Sequence, residues 1–188
     1  MSEPLVDTPP DLDFVVVRYP DPVLRRVAEP VTDFDASLRR VVAAMYARMI
    51  ASKGVGLAAP QVGISRRILV LNPTGELGPD DLTLINPTIL SRTGDEDWYD
   101  EGCLSFPSIY AEVKRPERCR VSFLDLDGVA HEREFDGFTS RIIQHEYDHL
   151  EGVLLVDRMS PADRQRHKAA LQELVDGWKR RAPAPERR

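Results

Sequence analysis

The chain has 188 residues, 42% hydrophobic and 30% charged, with a net charge of −6. That length and balance fit one globular domain with a sizeable core. An acidic chain with no massed basic block is not built for direct DNA binding, and no apolar run is long enough to span a bilayer.

Residues 1–13 read as a disordered leader, without the basic and apolar regions of a secretory signal. Phe14 to Arg18 is a short apolar run before the turn-rich Tyr19-Pro20-Asp21-Pro22. Asp33 and Asp35 offer caps for a helix whose Leu38, Val41, Val42, Met45 and Met49 form one buried stripe, with Lys53-Gly54 as its stop. Gly54 to Gly63 is a glycine- and alanine-rich loop. Arg67 to Leu71 and Asp81 to Asn86 read as neighbouring strands, and Asp95 to Asp100 as an acidic loop leading to a turn at Glu101 to Pro107. Ile109 to Lys114 and Cys119 to Leu126 alternate as strands, and Asp127-Gly128 is a hairpin turn into Val129 to Phe135. Gly137 and Gly152 bracket a central helix. Ser160-Pro161 opens a last charged helix reaching about Lys179, and residues 182–188 read as a frayed tail. The expected class is therefore α+β, a single domain over residues 14–181. Short antiparallel strands pack around the central helix, with an N-terminal and a C-terminal helix beside them.

The central helix carries Gln144-His145-Glu146-Tyr147-Asp148-His149. A four-residue step on an α-helix turns about 400°, so His145 and His149 share one face. Two imidazoles so placed can hold one divalent metal, with Glu146 beside them to handle a proton. Phe138 and Ile142 fall on the ligand face; Ile143, Tyr147 and Leu150 fall opposite, towards a core. A catalytic site needs a third protein ligand. The extended form with a third histidine is excluded, because Leu155 stands at that position. Glu173 on the last helix is one candidate, although a solvated helix accounts for it. Cys103 is the other; alone it reads as a small core hydrophobe, but beside the two histidines it is the preferred ligand. Cys119 sits in an alternating strand and reads as core. Two cysteines do not make a disulfide framework, which points to a reducing, cytoplasmic setting.

Three segments together resemble the motifs of peptide deformylases: Gly54-Val55-Gly56-Leu57-Ala58-Ala59-Pro60-Gln61, Glu101-Gly102-Cys103-Leu104-Ser105, and Gln144 to Gly152. The resemblance runs from about Arg18 to Met159. It implies a hydrolase that removes the N-formyl group from the initiator methionine of newly made proteins. It implies one divalent metal on Cys103, His145 and His149, Fe²⁺ first, with Zn²⁺, Ni²⁺ or Co²⁺ able to take its place. It implies Glu146 as acid/base, with Gln61 and the backbone N–H of Leu104 as donors to the oxyanion.

The chemistry of these residues agrees. A bound metal lowers the pKa of water, and Glu146 can carry its proton to the leaving amine. A fixed amide such as Gln61 favours a developing negative oxygen. Val55 and Gly56 of the first motif, with Phe138 and Ile142, are expected to bind the methionine side chain. Tyr110 and Arg141 are expected at the substrate mouth. Glu101 is expected to hydrogen-bond the free nitrogen of a ligating histidine. The partners implied are N-formyl-methionyl nascent peptides; the basic residues of the last helix offer a docking face for the ribosome, although a solvated helix accounts for them.

Overall fold

The computed structural model describes residues 12–181. The expected leader, up to residue 11, and the whole of the expected tail lie outside the described residues. The architecture is α+β, one five-stranded antiparallel sheet in the order β1-β2-β3-β4-β5 with helices on both faces. Its strands are β1 Gly56–Ala58, β2 Ile68–Leu71, β3 Leu82–Cys103, β4 Phe106–Leu124 and β5 Ala130–Phe135.

Helix α1, Ala36–Ala51, starts where the Asp35 carboxylate accepts from the N–H groups of Ser37 and Leu38. Its end differs from expectation, since Lys53 rather than Gly54 takes the left-handed turn, with φ 57°. Leu38, Val42, Met45 and Met49 are buried against Leu57, Ile68, Val70 and Ile85. Helix α2, Gly137–Leu150, buries Ile142, Ile143 and Leu150 against Ala58, Leu69, Leu71 and Leu84. The two contact sets alternate along β2, so successive side chains of that strand face α1 and α2 in turn. The strand is buried on both faces, which explains its unbroken run of Ile, Leu and Val.

The largest departure from the sequence reading is the β3–β4 hairpin. Asp95 to Asp100 is no loop; it is the outer part of β3, and the two strands expected between Ile109 and Leu126 are one. Glu96 pairs with Pro116, Asp97 with Arg115 and Trp98 with Lys114 across the ladder. The register shifts between Thr93 and Glu96, where Gly94 has φ 83° and the ladder passes Pro116. A bulge there absorbs the residue that cannot donate. One ion pair crosses the ladder on the diagonal, from Lys114 to Glu96 at 2.8 Å.

The last helix is also not continuous. Short α3 Leu155–Arg158 and α4 Pro161–Arg166 precede α5 Lys168–Arg181, with a break at His167. The N-terminal segment laces the fold together. Val17 N–H donates to the Gln61 carbonyl, Tyr19 N–H to Ser105, and Ala28 N–H to Leu150. Gly152, at φ 70°, ends α2 so tightly that a Cβ there would stand 2.5 Å from the Arg25 carbonyl oxygen. Gly152→Ala is therefore expected to lower the unfolding free energy by more than about 1 kcal/mol. Urea denaturation reads this, and an unchanged midpoint would mean that the two segments yield without cost.

Candidate metal centre

Three elements bring the site together. The first is the end of the β3–β4 hairpin. Cys103 closes β3 and faces Phe106 across the two-residue turn Leu104-Ser105. The register shifts again between Gly102 and Cys103, and Ser108 takes φ 62° to accommodate it. Such irregularities re-aim a side chain, and here it is the thiol that leaves the ladder direction.

The second element is α2. The ring centroids of His145 and His149 lie 5.3 Å apart, one turn from each other. The Cys103 Sγ stands 3.3 Å from His149 Nε2, and ligand atoms of Cys103, His145 and His149 all lie within 4.8 Å of one another. One sulfur and two imidazole nitrogens at this spacing suit a divalent transition metal. Burial opposes protonation of His145, yet its hydrogen bonds to Cys103 and Glu101 outweigh that and draw positive charge to the ring. Burial, with His145 and Arg115 nearby, keeps His149 neutral and its lone pair available. Glu173 lies exposed on α5 and is not part of the converging cluster.

The third element is the glycine-alanine loop. It runs as β1 into a 3-10 turn, Ala59–Val62, that Gly63 closes at φ 81°. Gln61 is buried there, its Oε1 accepting from Ala58 N–H at 2.8 Å. Its Nε2 points across the site, 3.5 Å from both Cys103 Sγ and Ser105 Oγ. Gly56 is needed for proximity, not for conformation. A Cβ there would sit 2.6 Å from Glu146 Oε1 and 2.7 Å from Ile142 Cγ2.

Glu146 is 5% exposed, and its Oε2 is buried with no hydrogen-bond partner among the described residues. Burial pushes its carboxyl up to about 7, against the pull of His145 and Arg115. A carboxyl in that range can both take and return a proton near neutral pH.

Glu101 organises what lies behind the ligands. Its Oε2 stands 2.9 Å from His145 Nδ1, which leaves Nε2 as the nitrogen facing the cluster. Both its oxygens accept from Arg115, at 2.7 and 2.9 Å, and Oε1 also accepts from Arg141 at 3.0 Å. Burial alone would raise this carboxyl, but the hydrogen bonds from His145 and Arg115 overcome it and hold it at about 2. Arg115 reaches on to Asp148 of α2 at 2.9 Å, and Asp148 pairs with Arg158.

A cavity of about 580 Å³ fronts this centre. Val55, Gly56 and Ile142 line it, Leu104 closes one side, and Phe138 and Tyr110 stand at its open rim. Arg141 borders it too, with its side chain turned inward. It is buried, and its guanidinium is committed to Glu101, Asp97 and the Val113 carbonyl. Tyr99, Ser105, Arg115 and Asp148 belong to the site and were not singled out from the sequence. Tyr99 packs 6.2 Å from Phe138, under the Arg141 guanidinium. Arg115 did leave a signal: Ile109, Ala111 and Val113 face inward at every second position, and Arg115 continues the series.

The sequence profile described as Polypeptide deformylase matches residues 14–165. A peptide deformylase of Thermotoga maritima is 43% identical over 162 residues, 86% of this chain and 96% of the relative. The chloroplastic peptide deformylase 1B of Solanum lycopersicum is 39% identical over 96% of this chain and 67% of its own length. A solved peptide deformylase from Plasmodium falciparum superposes with a TM-score of 0.88 at 42% identity, covering 90% of this chain and 100% of the other. Profile, relatives and superposition span the elements that build the centre, and on that ground the chain belongs to the polypeptide deformylase family.

Proposed function

We propose that this chain works as a deformylase through one divalent metal held by Cys103, His145 and His149, with Glu146 carrying the proton. The reaction is hydrolysis of the N-formyl group from newly made peptides, releasing formate. The observation that carries the reading is the convergence of one thiol and two imidazoles beside a buried, unpartnered carboxylate oxygen. When bound, the metal supplies Lewis acidity and lowers the pKa of water.

The residues of the chain do the rest. Glu146, poised near neutrality, takes a proton from the attacking water and delivers it to the amine nitrogen as the C–N bond breaks. Gln61 Nε2 and the backbone N–H of Leu104 sit on the two loops that flank the thiol and serve as donors to the oxyanion. Val55, Gly56 and Ile142 receive the methionine side chain, with Phe138 and Tyr99 as its outer wall. Tyr110 borders the peptide at the rim. Arg141 supports Glu101 from behind.

The catalytic unit is taken as residues 14–181, with support from the profile match over residues 14–165. Iron is the first choice by family likeness, and the donor set equally accepts Zn²⁺, Ni²⁺ or Co²⁺. No described helix is long and apolar enough to cross a membrane. Both cysteines are free, which suits a reducing compartment such as the cytoplasm. Lys179, Arg180 and Arg181 in the last turn of α5 offer a basic face for the ribosome.

The direct test is formate release from formyl-Met-Ala-Ser by the metal-loaded chain. Glu146→Gln is expected to slow it by about 10²–10⁴ while metal content stays unchanged. Retention of more than a tenth of the rate would remove Glu146 from the proton path. Glu101→Gln is expected to weaken metal binding about 10- to 100-fold, read by competition with a chelator. Unchanged affinity and rate in that variant would sink the role given to Glu101.

A further inference from the structure

A second cavity, of about 800 Å³, lies beside the first. Ser52 and Leu104 stand in the walls of both, so the two cavities adjoin at the end of α1. Val15 and Val17 of the N-terminal segment form one side, and Trp178 at the end of α5 forms another. Among its described lining residues are three arginines, Arg18, Arg48 and Arg181, against one acid, Asp21. Asp21 is turned to its own backbone, accepting from Val23 N–H at 3.0 Å. Arg48 pairs with Asp13, yet its Nε is buried with no hydrogen-bond partner among the described residues. In a chain of net charge −6 this is a local reversal of sign.

We infer that this cavity takes the downstream part of the formyl-peptide substrate and favours acidic side chains there. The inference rests on the deformylase reading, which puts the formyl end at Cys103 and Glu146. A peptide leaving that end past Leu104 and Ser52 enters the second cavity. An extended chain advances about 3.3–3.6 Å per residue, so only peptides longer than a few residues reach it. Guanidinium forks match carboxylates in two-point geometry, and the valines and Trp178 receive the aliphatic stems. Exposed pairs of this kind are screened by salt.

The test compares kcat/KM for formyl-Met-Ala-Ser-Gly-Glu-Glu and formyl-Met-Ala-Ser-Gly-Lys-Lys on the full, metal-loaded chain, with formyl-Met-Ala-Ser as reference. The acidic peptide is expected to be favoured about fivefold at low ionic strength. The preference should fall towards one in Arg18→Glu, and in the unaltered chain at high salt. Equal values for the two long peptides, with normal turnover of the short one, overturn the inference and leave the deformylase reading intact. No turnover of the short peptide defeats that reading and the inference with it. A preference that emerges only after residues 1–11 are removed assigns the cavity to that segment and also overturns the inference.

Discussion

One buried guanidinium holds the site in place. Arg115, 5% exposed, stands between the carboxylates of Glu101 and Asp148, and so ties β3 and β4 to α2. Cys103 shares β3 with Glu101, and both histidines share α2 with Asp148, so the geometry of the three ligands depends on this link. Charges this deep are tolerated only when each has partners, and removing one member of such a set typically costs about 3–5 kcal/mol. Glu101 meets that condition fully, with Arg115, Arg141 and His145 on its two oxygens. The same carboxylate that keeps the frame together also fixes which nitrogen of His145 faces the ligands.

Close approach is the second condition. Glu146 packs against β1 with room for a hydrogen but not a methyl group at Gly56. That contact encloses the carboxylate, and enclosure is what lifts its pKa towards neutrality. Stability and chemistry therefore use one feature. The N-terminal segment completes the frame by hydrogen-bonding both the Gln61 turn and the Ser105 turn, so the two loops that flank the thiol are held to a common strap.

The local parts of this arrangement were legible in the sequence. The stripe of α1, the two histidines of α2 and the glycine stop after it depend on neighbours within a turn or two. The hairpin carrying Cys103 was not, because the acids of Asp95 to Asp100 mask the strand preference of Trp98 and Tyr99 until Lys114 and Arg115 lie opposite. Ion pairs across the hairpin, Lys114 with Glu96 and Arg115 with Glu101, help to hold it, and a single strand does not reveal them. The commitments of Arg141 are hidden for a related reason: its partners Asp97 and Glu101 lie on a strand whose sequence reads as loop and turn. The break at His167 was equally hidden. There the ring nitrogen meets the Tyr110 carbonyl of β4, a contact from outside the helix.

The central claim is that one cysteine from the hairpin and two histidines from the helix bind the same ion. X-ray absorption at the metal edge of the loaded chain tests it most directly. The account predicts one sulfur neighbour at about 2.3 Å and two imidazole nitrogens at about 2.0–2.1 Å. The sulfur should disappear in Cys103→Asp. A first shell without sulfur in the unaltered chain, or one that keeps its sulfur in the variant, would contradict it.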